Sequence, residues 1–149
     1  LVLVFFGLIP VCITYYLLCD TCPWYIVLIS VACGIIIDTL LVVNNYRDRE
    51  QDSNNGKVTL LVHLSARAGR NLYLILGLVG ISLSLCSFLL RGNFWGLVLL
   101  LYLPGHYKSW RMIIRIGSGK ELNSMLGKTS RNMFLFGILT AMAFLLGCF

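Results

Sequence analysis

Apolar residues come in five long runs, and the polar residues between them gather in two long stretches and two short ones. The runs are 1–18, interrupted by Pro10; 23–43, the cleanest; 71–90; 93–104; and 132–149. Such lengths predict helices that cross a bilayer, which takes about 20 residues at about 1.5 Å of rise each. The fourth run is short, about a dozen residues before Pro104 and Gly105. Trp110, Met112, Ile113, Ile114 and Ile116 carry its apolar character onward, so a helix kinked at the proline and continuing to 116 stands beside an end at 104. The expected architecture is all-α, an integral membrane helix bundle of about five transmembrane helices, with long loops at 44–70 and 105–131.

Composition agrees. Of the 149 residues 58% are apolar and only 12% charged, with a mean hydropathy of +0.86. Soluble domains carry about a quarter charged residues, so a soluble fold is excluded. Leu1 already lies inside an apolar run with no charged segment before it, which argues against a signal peptide. The expectation is a chain that opens within a span of a longer protein. No internal repeat or low-complexity tract is visible.

The net charge of +6 is not the basic face of a nucleic-acid binder. Eleven of the twelve Lys and Arg residues fall in the two long stretches: Arg47, Arg49, Lys57, Arg67 and Arg70 in one, Lys108, Arg111, Arg115, Lys120, Lys128 and Arg131 in the other. The short connections carry only Arg91. The positive-inside rule then places both long loops in the cytoplasm and the C-terminus outside. Tyr15, Tyr16, Trp24 and Tyr25 bracket the outer loop, and Tyr102, Tyr107 and Trp110 mark the other boundary.

Chemistry concentrates in NNYRDREQDSNNGKVTL, which starts at Asn44. Asp48 and Asp52 are spaced i, i+4, so a helix continuing past Val43 would set both carboxylates on one face, with Asn45 joining them. An all-oxygen donor set of this kind suits a hard cation such as Mg2+. Magnesium usually completes its shell with water and substrate phosphate, and Arg47, Arg49 and Lys57 stand close enough to touch the same phosphates. A DxxxD spacing also arises by chance in charge-rich loops, and spacing alone does not decide between the two.

The longer string is more specific. It resembles the second aspartate-rich motif of the UbiA superfamily of intramembrane prenyltransferases, in the branch that prenylates 1,4-dihydroxy-2-naphthoate for menaquinone synthesis. The matching positions are Asn44, Asn45, Arg47, Asp48, Asp52, Gly56, Lys57, Thr59 and Leu60. FFGLIPVCITYYLL, LSARAGRNLY and GKELNSMLGKTSRNMFLFGILTA are similar to that family too. The resemblance implies the C-terminal half of a nine-helix bundle in a bacterial inner membrane. It implies Asp48 and Asp52 as catalytic ligands of Mg2+, and Asn44, Asn45, Arg47, Lys57 and Thr59 as substrate contacts. It also implies a polyprenyl diphosphate donor, a 1,4-dihydroxy-2-naphthoate acceptor, and partner helices carrying a first aspartate-rich motif that nothing here matches. Half a site is not expected to catalyse alone.

Other features weigh less. Asp38 lies inside the second run and shares a face with Asn45, so it either lines a substrate cavity or bonds within the bundle. Cys19 and Cys22 form a CxxC pair with no second pair to complete a zinc site, while Cys12, Cys33, Cys86 and Cys148 read as small core residues. GSGK at 117–120 lacks the spacing and preceding strand of a phosphate loop. His63 and His106 read as loop residues without metal partners, although His106 near Lys108 could touch substrate. Competing readings are another aromatic prenyltransferase with a ubiquinone-type acceptor, a CDP-alcohol phosphotransferase whose DGxxAR opening is absent, and a transporter, which would show more polar interruptions in its spans.

Overall fold

The computed structural model describes residues 1–147. Every regular element among them is helical. A π-helical stretch, Leu3–Leu8, leads into α1 (Ile9–Cys19). Next come α2 (Trp24–Asn54), the single turn α3 (Leu60–His63) and α4 (Ala66–Leu89). A 3₁₀ stretch, Phe94–Leu101, passes directly into α5 (Tyr102–Ile116), and a 3₁₀ turn, Lys120–Leu122, into α6 (Asn123–Leu146). Cys148, expected in the core, lies outside the described residues, as does the end of the fifth run.

The chain is therefore an all-α membrane helix bundle. Three helical runs are long and apolar enough to cross a bilayer on their own: Trp24–Asn54, Ala66–Leu89 and Lys120–Leu146. The first run makes the shorter apolar helix Leu3–Cys19. Its wide π-helical turns precede Pro10, which has no N–H to return to Phe6 and whose ring crowds that carbonyl. The fourth run continues past Pro104 to Ile116, as the longer alternative anticipated.

Both expected loops are mostly helix, which corrects the pattern-based boundaries. α2 runs past Val43 to Asn54, α4 starts at Ala66 and α6 at Asn123. Only 55–59 and 64–65 of the first loop, and 117–119 of the second, lie outside a helix. Hydropathy marks where a helix leaves the hydrocarbon, whereas Arg, Glu and Gln are good helix formers that extend it into water.

α2 is the axis of the bundle, packed against α4, the Leu3–Leu8 stretch and α6. It meets the first helix through glycines. A Cβ on Gly34 would lie 2.8 Å from Leu3 Cα, and one on Gly7 would lie 2.5 Å from the Ser30 carbonyl oxygen. Close backbone approach through small residues replaces the hydrophobic drive that lipid cannot supply. Gly34→Val should push the two helices apart at a cost of about 1–3 kcal/mol. A lowered melting temperature of the whole protein in detergent would report it, and an unchanged one would mean the crossing adapts freely.

Two buried apolar clusters fill the interior. One gathers Ile29, Ile36, Phe88, Leu99, Phe136 and Leu139. The other, with Val42, Val43, Tyr46, Leu61, Tyr73, Ile113, Leu122 and Met125, lies beneath the polar end of α2 and fixes it in place. Beside this second cluster, His106 of α5 is buried between the rings of Tyr73 and Tyr102, with centroids 4.5 and 5.1 Å away. The Leu74 carbonyl 3.3 Å from Nε2 can only accept, so Nε2 carries the hydrogen and Nδ1 accepts from the Tyr102 hydroxyl at 3.0 Å. Gly77 leaves the room, since a Cβ there would overlap the imidazole. His106 is thus a buried core residue of a helix, not a loop residue. His63 belongs to α3 and is exposed.

Candidate functional site

Beyond Val43, the last turns of α2 carry Asn44, Arg47, Asp48 and Gln51 along one side, with Asn45 and Asp52 adjacent. Arg47 organises this surface. Its Nε donates to Asp48 Oδ1 at 2.7 Å and its Nη2 to Oδ2 at 2.6 Å, a forked pairing that engages both carboxylate oxygens. Nη2 also donates to Asn44 Oδ1 at 3.0 Å, and Nη1 reaches Asn123 Oδ1 on α6 at 2.8 Å. Hydrogen bonding from Arg47 outweighs the opposing effect of partial burial and holds the Asp48 carboxyl below the usual carboxylate range, with the Arg47 and Lys57 charges adding to the effect.

Asp52 obtains its partner from the way the helix ends. Gly56 takes the left-handed conformation at φ 68°, which turns the chain back so that Lys57 N–H donates to the Asp52 carbonyl at 2.9 Å. The Lys57 ammonium then lies 3.2 and 3.1 Å from the two carboxylate oxygens of Asp52. Asp52 is buried while Lys57 is exposed. The motif's glycine and lysine thus act together, the first placing the second.

Two of the expected site residues, Asn45 and Thr59, join less closely. Asn45 is half-buried on the side of Asp52 and makes no hydrogen bond to a described side chain. Thr59 stands before α3 with its hydroxyl oxygen buried and unpartnered. Asp38, the weaker candidate, is partly exposed within the span and forms no hydrogen bond or ion pair with a described residue, so of its two readings the bond within the bundle finds no described partner.

Below the polar cluster lies an apolar groove of about 440 Å3, lined by Val2, Phe6, Ile37, Leu40, Leu41, Asn44, Leu126 and Ser130. Asn44 belongs to both, since it lines the groove and binds Arg47. Ile37, Leu41, Asn44 and Asp48 follow one another at helical spacing, so a single stripe of α2 passes from apolar to charged. On α6, Asn123 lines the polar side, and Leu126 and Ser130 line the groove. A second, polar cavity of about 650 Å3 is lined by Arg47, Asp48, Glu50, Gln51, Asn54, Asn55, Gly119, Lys120 and Asn123.

The sequence reading missed Asn123 and Lys120. GSGK is no phosphate loop, for a 3₁₀ turn and α6 follow it and no strand precedes it, yet the segment folds against Asp48. Two residues 76 positions apart leave no local trace of their contact. Asn123→Ala should free one arm of the Arg47 guanidinium and weaken anion binding about 3- to 10-fold, the value of one charge-assisted hydrogen bond at a half-exposed site. Anion affinity equal to that of the unaltered protein would reduce Asn123 to a bystander.

Asp48 and Asp52 are oxygen donors one turn apart on α2, the donor type a hard divalent ion takes. Among the described residues no group of three Asp, Glu, His or Cys side chains comes together. Two carboxylates are too few for a cage of their own, so an ion here would need phosphate, water or further chain as ligands too.

The UbiA prenyltransferase family profile matches residues 1–138. The chain is similar to 1,4-dihydroxy-2-naphthoate octaprenyltransferases. The one from Escherichia coli (strain K12) is 33% identical over 99% of this chain and 47% of its own length. That from Haemophilus influenzae is 33% identical over 98% and 48%, and that from Mycobacterium leprae 32% identical over 94% and 47%. The chain thus spans about half the length of the relatives it matches. No solved structure matches it. With its helical bundle, its motif on the extension of α2 and a family match along most of its length, the chain belongs to the UbiA prenyltransferase family.

Proposed function

We propose that the protein containing this chain transfers a polyprenyl group from its diphosphate to 1,4-dihydroxy-2-naphthoate, a step of menaquinone synthesis, with this chain as the half that carries one diphosphate-binding face. The observation that carries this reading is the continuity of the apolar groove with the Arg47–Asp48 cluster through Asn44. A polyprenyl diphosphate has the same polarity profile, a long apolar tail ending in a compact multiple anion.

In this reading the tail lies against Ile37, Leu40, Leu41 and Leu126, and the diphosphate at Asn44, Arg47 and Asn123. Arg47 and Lys57 give up their carboxylates and turn their N–H donors to phosphate oxygens. Asp48 and Asp52, released, would hold Mg2+, which when bound offsets the charge that builds on the departing diphosphate. The apolar walls keep water from the allylic cation, so the electron-rich ring of the acceptor is the nucleophile within reach. The missing ligands would come from preceding helices with the family's first aspartate-rich motif. The membrane would be the bacterial inner one, with the polar ends of α2 and α6 in the cytoplasm and the C-terminus outside, as the charge pattern favours.

The test is Mg2+-dependent transfer from a prenyl diphosphate to 1,4-dihydroxy-2-naphthoate in membranes containing the whole protein. Prenylated naphthoquinol precursor is the expected product. Product with another aromatic acceptor alone would move the assignment within the family, and none with any acceptor would bring the transport reading forward.

A further inference from the structure

α5 carries a second cationic surface, remote in role from the polar end of α2. Lys108, Arg111 and Arg115 follow at i, i+3 and i+7, so they form one stripe, and all three are exposed. With Tyr107, Trp110, Met112 and Ile114 they line a cavity of about 740 Å3 on the flank of the helix. Tyr107 is 50% and Ile114 40% exposed, so apolar and aromatic surface alternates with the charges. Lys128 of α6 adds a further cation nearby, its Nζ 3.2 Å from Met112 Sδ.

Among the described residues no carboxylate pairs with this stripe. α5 has no Asp or Glu, and the ion pairs among the described residues are Arg47–Asp48 and Lys57–Asp52. Its depth is also informative. The helical run Phe94–Ile116 is about 38 Å long at 3₁₀ and α-helical rises, against about 30 Å of hydrocarbon. With Phe94 set at the opposite interface, a run of this length carries its last turns to the headgroup level, where lipid phosphates lie. An apolar helix packed on this face would leave three cations unpaired, whereas an anionic lipid supplies phosphate to the guanidinium forks and acyl chain to Tyr107 and Ile114.

We propose that the α5 face formed by Lys108, Arg111, Arg115, Tyr107 and Ile114 is a binding site for an anionic phospholipid, with the phosphate on the cations and an acyl chain along the apolar residues. It is independent of the reading of the Asp48 site.

The experiment is native mass spectrometry of the detergent-solubilised whole protein with added dioleoylphosphatidylglycerol or dioleoylphosphatidylcholine. Phosphatidylglycerol should be retained and phosphatidylcholine not. The double variant Arg111→Gln/Arg115→Gln should lower that retention at least tenfold, given roughly fivefold attraction per cation near an anionic surface. The charge-matched control Arg67→Gln/Arg131→Gln should retain it. Equal losses in both variants would show diffuse attraction, and no loss in either would show no site; both overturn the proposal. Thermal melting of the unaltered protein gives a second reading that no folding defect can obscure. Phosphatidylglycerol should raise its melting temperature more than phosphatidylcholine, and equal effects of the two lipids would overturn the site.

Discussion

Asp48→Asn in the whole protein should lower turnover by roughly three orders of magnitude, about 4 kcal/mol of transition-state stabilisation. The substitution keeps size and most hydrogen-bonding capacity while removing the negative charge. It leaves Arg47 without its forked partner, although Asn44 and Asn123 still hold the guanidinium, so the helix surface should keep its shape. The predicted loss is therefore one of metal binding rather than folding. Asp52→Asn should act in the same direction, with a smaller structural margin because Asp52 is buried beneath Lys57. Rates at several Mg2+ concentrations, with melting temperature as a control, provide the check. Near-normal turnover in either variant would end that residue's assignment as a metal ligand.

Arg47→Ala should separate two affinities that ordinarily rise together. Both oxygens of Asp48 are engaged by Arg47, and both of Asp52 by Lys57, so each carboxylate is already neutralised before any ligand arrives. A divalent ion alone must displace a cation at each position. A diphosphate arriving with it accepts the displaced cations, so ion and anion help each other to bind. Without Arg47, the Michaelis constant for the prenyl diphosphate should rise about 10- to 100-fold, the range for lost charge-assisted hydrogen bonds. Mg2+ binding in the absence of diphosphate should strengthen instead. Titration calorimetry with Mg2+ alone, beside steady-state kinetics, reads both. Parallel weakening of the two would mean that Arg47 merely supports the fold.

The sequence made the class of fold legible because bilayer length is written directly into hydropathy. It placed Asp48 and Asp52 on one face because the i, i+4 spacing has that meaning in any helix that continues far enough. What hydropathy could not supply was the continuation itself. Asn44 to Asn54 is polar, so the apolar run ended at Val43 while the helix did not. The same blindness started the last helix at 132 rather than Asn123 and left Asn123 in a supposed loop. His106 was misplaced because Pro104 and Gly105 read as a break. The residues before them form a 3₁₀ stretch that delivers Pro104 to the first turn of α5, where a missing N–H costs little. Its two aromatic partners come from α4 and from α5 itself, and only the former required the fold.

The reversal at Gly56 also sets an order of assembly. Asp52 and Lys57 meet within a single turn of chain, so that half of the polar cluster can form as soon as α2 has ended, before α4 exists. Arg47 reaches its full set of partners only when Asn123 arrives with α6, the last of the described helices. During synthesis one carboxylate is thus capped early by its own sequence neighbourhood, and the cluster is completed only once α6 has also been made. A chain stopped short of α6 would enter the bilayer with a motif intact in every letter and an arginine still missing one of its three anchors.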